Sequence, residues 1–405
     1  MKRVVVTGLG MINSVGQDKE SAFSAILNGE CGIKKIELFD AEKFSVKIAG
    51  EIVGFDASTV MDAKEVKKAD RFIHLGIKAT LEAMEDANFG DDVDMERFGI
   101  SSASGIGGLP NIEKNSVICD TRGPRRISPF FIPSSLVNML GGFISIEHGF
   151  KGPNLSCVTA CAAGTHAIAE ATKTIMLDGA DRMLVVGAES AICGAGIGGF
   201  AAMKALSTNN DNPKESSRPF DADRNGFVMG EGAAALILED YDLAVARGAK
   251  IYGEIAGFGE SGDANHITTP VMDGPLRAMK AAMRMAGDLK VDYVNAHGTS
   301  TPANDKNETE AVKALFGGAE NCPPMSSIKG QIGHCLGAAG AIEAVVCLMA
   351  MRDGKLPPTI NYTTPDKNCD LDYVTDGVRD AEINVAMSNS FGFGGTNGVV
   401  IFKKI

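Results

Sequence analysis

Two cysteines, Cys157 and Cys161, stand four residues apart in the stretch CVTACAAGTHA, which is otherwise made mostly of small residues. A zinc site needs about four clustered ligands, and C-x3-C without a second pair or a nearby histidine pair does not supply them. A disulfide over so short a span at a helix start is geometrically awkward. Cys157 reads as a small residue buried on a strand. Cys161 stands between alanines where a strand-like segment gives way to a helix. A helix N-terminus presents unpaired N–H groups and the positive end of a dipole, which lower a thiol from its usual pKa of about 8.5. The small neighbours leave room for a bulky acyl group, so Cys161 is the candidate nucleophile.

Three further segments carry reactive groups. NAHGTSTPANDKNE puts His297 just past a strand and before a helix, and SSIKGQIGHCLGAAG holds Lys329 and His334 before another helix. NSFGFGGTN is glycine-rich, with Phe391 and Phe393 alternating with glycines. In α/β folds, active sites gather where strands end and helices begin, which is where these three loops lie.

The elements that must position them alternate between strand and helix patterns. Val4–Thr7 reads as a short buried strand. The GLG after it lacks the third glycine of a dinucleotide fingerprint, since Asn13 stands in its place. Asp62–Asn88 has apolar residues at helical spacing, with Lys64, Lys67, Lys68 and Arg71 in its first half. DRMLVVGAES reads as a strand, NGFVMGEGAAALILEDY as two strands around a glycine turn, and NVAMSNSFGFGGTNGVVIFKK as a final strand pair. The alternation predicts an α/β architecture. An internal echo accompanies it. CAAGTHAIAEATKTIMLDG and LGAAGAIEAVVCLMAMRDG align at an offset of 175 residues, Asp178 on Asp353, which sets Cys161 opposite Leu336 and Thr159 opposite His334. The period is too long for a solenoid, so the echo reads as a duplication of two α/β halves joined near Arg247–Tyr252.

Composition narrows the class. The chain has 405 residues, 44% of them hydrophobic, and a formal charge of −12, which disfavours general binding to nucleic acid. Nine scattered cysteines in a long chain imply reduced thiols and a cytoplasmic protein. The opening MKRVVVTGLGMINSVG is too short and glycine-broken for a signal peptide, and no apolar stretch approaches the ~20 residues of a membrane span.

Taken together, VTACAAG, SSRPFDADRNGFVMGEGA, NAHGTSTPANDKNE, IKGQIGHCLGAAG and NSFGFGGTN come in the order found in the β-ketoacyl-[acyl-carrier-protein] synthases of the thiolase superfamily. The chain resembles the elongating type II group over essentially its whole length. The resemblance implies a five-layered αβαβα sandwich of two duplicated halves, residues 1–248 and 249–405, forming a homodimer. It makes Cys161 the acyl-accepting nucleophile, and His297 and His334 the histidines that handle a malonyl thioester. Lys329 becomes the nearby lysine, paired with Glu308, and Asp305 supports the same loop. Thr299 and Thr301 resemble pantetheine contacts, Phe200 and Ile106 acyl-pocket residues, and Phe391 and Thr268 further substrate contacts. Phe393 resembles the gate of the glycine-rich loop, its N–H forming an oxyanion hole with that of Cys161. Asn295, Glu343, Ser388 and Asn389 match a cation site of some members.

The implied partner is an acyl carrier protein bearing acyl and malonyl groups. The enzyme needs no cofactor of its own, because the phosphopantetheine arm belongs to the carrier. An acidic carrier would require a local basic patch, expected at Lys64, Lys67, Lys68, Arg125, Arg126 and Lys204. IKGQIGH departs from the usual TKSMTGH, and ACAAG from ACTSG, changes that bear on substrate preference. A thiolase would show a second catalytic cysteine near GFGGTN, and a priming synthase an asparagine at His334. A subunit that only sets chain length would lack the nucleophile. A polyketide or aryl polyene ketosynthase uses the same residues and is the alternative.

Overall fold

The computed structural model describes residues 1–90, 93–287 and 289–405. Ten strands form its main sheet: β1 (Val4–Asn13), β2 (Phe98–Ala103), β3 (Asn154–Cys157), β4 (Arg182–Glu189), β5 (Gly232–Asp240), β6 (Gly253–Gly262), β7 (Tyr293–Asn295), β8 (Met325–Ser326), β9 (Val385–Gly392) and β10 (Thr396–Lys403). The strand order is β8-β7-β9-β10-β6-β1-β5-β4-β2-β3. Outward from the centre, β1-β5-β4-β2-β3 on one side mirrors β6-β10-β9-β7-β8 on the other. In both, the first two junctions are antiparallel and the last two parallel. The two five-stranded blocks meet through only two residue pairs, Val5 with Glu254 and Val6 with Gly253.

Side-chain alternation along these strands sorts the core into layers. Met183, Val185, Leu236, Leu238, Val400 and Phe402 face one shared inner cluster. That cluster is filled by two helices, here α2 (Ala163–Met176) and α5 (Ala339–Asp353). The alternate residues Leu184, Val186, Ala235 and Ile237 face outward, onto a cluster with Phe72, Ile73 and Ala83 of α1 (Arg71–Ala87). Met387, Val399 and Ile401 face the other way, onto Ala278 and Ala282 of α3 (Asp273–Ala286) and Ala311 of α4 (Pro302–Phe316). Helix, sheet, paired helices, sheet and helix make five layers. α5 lies in the middle layer, which explains why every residue from Ala339 to Met351 is buried, on all its faces.

The close approaches repeat between halves. A Cβ on Gly10 of β1 would lie 2.0 Å from the Ala79 carbonyl of α1, and one on Gly259 of β6 would lie 2.0 Å from the Ala278 carbonyl of α3. Gly8 with Ala83 and Gly257 with Ala282 repeat the contact one step along. The GLG stretch is thus the middle of a strand, extending to Asn13, and presses backbone to backbone on a helix; it is no phosphate loop.

One sequence expectation is sharpened and two are corrected. The Asp62–Asn88 pattern divides into a short helix Ala63–Val66 and α1, broken at Lys67–Asp70. Within NGFVMGEGAAALILEDY only β5 is a strand. Phe227, Met229 and Gly230 instead make single bridges to Leu206, His334 and Gly50, three separate parts of the chain. The echo is displaced by one residue. Ala160 and Leu336, with φ of 49° and 45°, open equivalent 3₁₀ turns before α2 and α5, and Asp178 and Gly354, at 64° and 65°, close the two helices. Cys161 therefore matches Gly337, not Leu336. Aligning the two Asp-Gly pairs misplaced the register, because Asp178 takes the left-handed conformation in one copy and Gly354 in the other.

Candidate active site

Cys161 sits in the 3₁₀ turn Ala160–Ala162 that leads into α2, directly after a left-handed alanine. Such a backbone is held only where its surroundings over-determine it. Here the second block supplies the restraint. Thr396 Oγ1 donates to the Thr159 carbonyl at 3.1 Å. His166 Nε2 lies 3.1 Å from the Asn397 carbonyl, which can only accept, so Nε2 carries the proton and Nδ1 accepts from Thr159 Oγ1 at 2.7 Å. His166, inside the opening motif but given no role there, is thus a strut between α2 and β10.

Sγ of Cys161 and one ring nitrogen each of His297 and His334 lie within 4.8 Å of one another, all three buried. Glu308 of α4 sets the His297 loop by accepting from the His297 and Gly298 N–H groups at 2.8 Å each, and from Asn389 Nδ2 at 3.2 Å. The expected Lys329–Glu308 pair does not form, because both Glu308 oxygens are engaged by this loop. Lys329 pairs instead with Glu343 of α5, each almost wholly buried. Asp305 accepts from the Phe220 N–H at 2.8 Å and lies beside Arg224, so it fixes SSRPFDADRNG against α4. The Thr299 and Thr301 hydroxyls are 2.9 Å apart.

Electrostatics give the triad its character. Burial, and then the Lys329 ammonium, hold both imidazoles well below their usual pKa, so both are neutral at physiological pH. His297 Nδ1 and both ring nitrogens of His334 have no hydrogen-bond partner in the protein. Burial pushes the Cys161 thiol up to about 11, against the pull of Lys329 and of the Phe393 and Cys161 N–H groups. The lowered thiol expected from a helix start is overturned by desolvation. Cys157 lies half-buried on the edge strand β3 rather than enclosed, and burial pushes it to about 11 as well. All nine cysteines are free thiols. A Cys-His-His set is chemically able to bind zinc, but here a cation would meet the Lys329 ammonium, whose charge reaches all three groups.

A pocket of about 310 Å³ opens above the triad. Cys161, His297, His334, Thr299, Thr301, Thr268, Phe200, Lys204, Phe391 and Phe393 all line it. Ile106 is not on that wall; it packs behind it, in the cluster that holds Phe200 and Leu336. The half-buried Phe393 ring lies 6.3 Å from that of Phe200, and Phe391 packs edge-on to His297. Gly394 and Gly395 take left-handed φ of 83° and 69°, a turn that glycine makes without strain. The expected segment missed its neighbour. Asp263, His266 and Ile267 also line the pocket, with Gly394 N–H on the Ile267 carbonyl at 2.7 Å and Asn397 Nδ2 on Asp263 at 2.7 Å. Only the clustered turn residues GDANH marked this loop in sequence.

Asn295 Oδ1, Glu343 Oε2, Ser388 Oγ and Asn389 Oδ1 are buried without partners, and Ser388 stands opposite Asn295 in the β9–β7 ladder. Four orphaned oxygens fit a hard cation. Of the six basic residues, Lys204 is at the pocket wall. Lys64, Lys67, Arg125 and Arg126 are exposed outside it, and Lys68 pairs with Glu65 and stands over the Phe130 ring. Among the described residues no helix is long and apolar enough to cross a membrane.

Comparison with known proteins yields two adjoining family matches, "Beta-ketoacyl synthase, N-terminal domain" over residues 1–244 and "Beta-ketoacyl synthase, C-terminal domain" over residues 252–363. The chain is 47% identical over 409 residues to a 3-oxoacyl-[acyl-carrier-protein] synthase 2 of Coxiella burnetii, covering 100% of this chain and 99% of that one. It superposes on a crystal structure of a beta-ketoacyl synthase from Burkholderia phymatum with a TM-score of 0.93, at 34% identity and 100% coverage of both. A type II polyketide ketosynthase, AntDE, solved with its acyl-carrier protein AntF, matches at a TM-score of 0.90 and 32% identity, over 100% of this chain and 99% of that one.

The buried cation is the term that can be removed. In the double variant Lys329→Met, Glu343→Gln, which avoids stranding a lone carboxylate, the Cys161 thiol should rise further. Its alkylation at pH 8, followed by mass spectrometry of the Cys161 peptide, should slow by about tenfold for every 1.4 kcal/mol of lost attraction. An unchanged pH profile would show that Lys329 does not govern the thiol.

Proposed function

Because this chain belongs to the beta-ketoacyl synthase family, we propose how its own residues carry out the chain-elongating condensation of type II fatty acid synthesis. The enzyme is an acyltransferase that joins an acyl group to malonyl carrier, yielding a β-ketoacyl carrier and CO₂. The name of its 47%-identical relative favours this over a polyketide or aryl polyene ketosynthase. The observation that carries the residue roles is the thiol held within 4.8 Å of two neutral imidazoles, three of whose four ring nitrogens are buried without partners.

In the first half-reaction Cys161 attacks the acyl thioester, its proton passing to a neighbouring neutral imidazole and on to the departing pantetheine thiolate. The tetrahedral oxyanion lies between the Cys161 and Phe393 N–H groups, each donor worth on the order of 10²–10³ in rate. Malonyl carrier then enters past Thr299 and Thr301. Its carboxylate C–C bond breaks, CO₂ leaves, and the electron pair becomes an enolate whose oxygen accepts from the His297 and His334 imidazoles. Neutral imidazole suits this task, since it donates a hydrogen bond without protonating the carbanion that must react. The enolate carbon attacks the Cys161 thioester, the C–S bond breaks, and the thiolate takes up one proton from solvent, the proton that the overall reaction consumes. Phe393 gates the malonyl side. Phe200 and Ile106, with Phe391 and Thr268, shape the substrate path.

Residues 1–248 supply the nucleophile half and 249–405 the histidine half. A cation would be held by Asn295, Glu343, Ser388 and Asn389, through the Glu343 oxygen that Lys329 leaves unpaired; the reaction itself draws on no cofactor bound by this chain. Free thiols and the reaction class support a cytoplasmic enzyme.

Cys161→Gln removes the thiol while its amide can take the place of an acyl-enzyme carbonyl. It should form no elongated product yet still release labelled CO₂ from malonyl carrier, and adding His334→Ala should end that release. Cys157→Ala should cost roughly 1 kcal/mol and keep turnover. Condensation by Cys161→Gln would assign the wrong cysteine.

The partners follow from surface chemistry. AntDE's complex with a carrier supports carrier docking here, and Lys64, Lys67, Lys68, Arg125, Arg126 and Lys204 form the basic approach to the pocket in an enzyme of net charge −12. Lys67→Glu with Lys68→Glu should raise KM for acyl carrier far more than for acyl-pantetheine; equal effects would leave these lysines as a solvated face.

A second copy of the chain fits the edge strand β3, which pairs only with β2 and exposes Leu155 at 50%, followed by Val158 at 53%, beside a helix, Met139–His148, that exposes Ile146 at 82%. Leu155→Asp should convert a dimer to a monomer in sedimentation velocity; a wild-type monomer would refute the homodimer.

A further inference from the structure

Glu189 ends β4, has no exposure to solvent, and hydrogen-bonds to none of the reacting groups described above, although its charge joins burial in raising the Cys161 thiol. Four donors surround its carboxylate. Ser104 Oγ, at 2.8 Å, and the Ile106 N–H, at 3.2 Å, reach Oε1; the Gly105 N–H, at 2.5 Å, and the Gly337 N–H, at 2.9 Å, reach Oε2. Three of the four are backbone N–H groups, which cannot accept, so the cradle is built for an acceptor. It admits nothing else. A Cβ on Gly337 would lie 2.1 Å from the Gly105 nitrogen, and one on Gly105 would lie 2.8 Å from Glu189 Oε2.

The donors come from both halves. Ser104, Gly105 and Ile106 follow β2, whereas Gly337 belongs to the 3₁₀ turn before α5. Gly337 is the duplicate of Cys161, each the second residue of its turn and each preceded by a left-handed residue. At Cys161 the turn's N–H faces its own Sγ at the pocket. At Gly337 the equivalent N–H is taken by Glu189. The residues flanking the cradle are Ile106 on one side and Leu336 on the other, and both pack in the apolar cluster beside the pocket, where Leu336 is also a wall.

We propose that Glu189 is a positioning residue: it fills the anion cradle that the duplication leaves in the second half, and by holding N–H groups of both halves it fixes Ile106 and Leu336 where an acyl chain on Cys161 must lie. The inference rests on the acyl-pocket reading above. An ionised carboxylate accepts from all four donors at once, and charge-assisted bonds of this kind are the strong ones. A carboxamide at the same place must turn its NH₂ toward at least one N–H, which breaks the clasp on one side without emptying the site.

The test labels Cys161 with iodoacetamide and with an N-dodecyl iodoacetamide, and compares the two rates by mass spectrometry of the Cys161 peptide. Labelling needs neither carrier nor condensation, so the comparison is independent of whether the wild-type enzyme elongates acyl chains. In Glu189→Gln the ratio of long-chain to short-chain rate should fall about tenfold or more, as expected when a reacting group loses its positioned support. Ser104→Ala, which removes one donor and leaves the carboxylate in place, should lower the ratio in the same direction by less. If Glu189→Gln does not fold, Ser104→Ala carries the test. An unchanged ratio in the folded variants, or an equal slowing with both reagents, overturns the proposal and leaves Glu189 as a general strut.

Discussion

How closely two helices can approach sets the geometry of the whole centre. α2 and α5 cross where Gly164 meets Ala341 and Gly340 meets Thr165. A Cβ on Gly164 would lie 2.6 Å from the Ala341 nitrogen, and one on Gly340 would lie 2.6 Å from the Thr165 nitrogen. At that separation the helix starts are neighbours, and the turn carrying Cys161 abuts the turn that follows His334. Each sheet then delivers its own loops to the same point. The end of β9 lies against the Cys161 turn, where a Cβ on Gly392 would come within 3.2 Å of the Cys161 nitrogen, and the end of β4 lies against Gly337. A bulkier residue at either crossing glycine would wedge the two halves apart, and every distance in the thiol–imidazole triad would change with them.

Burial is the second organising effect, and it acts on charge. The site contains one cation, one thiol and two imidazoles, all withdrawn from water. Lys329 is matched by Glu343, whose carboxyl burial pushes up to about 7 against the pull of Lys329, while the imidazoles stay neutral because nothing matches them. Desolvation outweighs the helix start at Cys161 because the thiolate would be enclosed by alanines and phenylalanines, and two N–H groups with one ammonium do not replace a water shell.

Much of this could be read from residue types alone, for physical reasons that also mark the limits. Reactive side chains at strand ends stood out because loops place them there, so Cys161, His297 and His334 were legible before any contact was known. Two duplicated halves were legible from glycine and apolar spacing. The partner of Lys329 was not: Glu308 and Glu343 are both acids on helices, and only the fold shows that one is consumed by the His297 loop. Gly8 and Gly10 were ambiguous because a strand pressed onto a helix and a phosphate loop both require glycine. The pairing of A-x-x-x-A in α1 and α3 with G-x-G in β1 and β6 was present in the sequence and would have resolved them. Glu189 left no trace in sequence, since three of its four donors are backbone groups and the four come from two distant places in the chain.

The raised thiol has a bearing on how such a protein lasts. Peroxide and other soft oxidants attack thiolates, and they do so in proportion to how much thiolate is present. A thiol pushed up to about 11 is almost wholly protonated at pH 7. In the resting site Cys161 therefore offers such oxidants little thiolate to convert to sulfenic or sulfinic acid. The same dry enclosure that keeps the proton on its sulfur is thus also a barrier to oxidation.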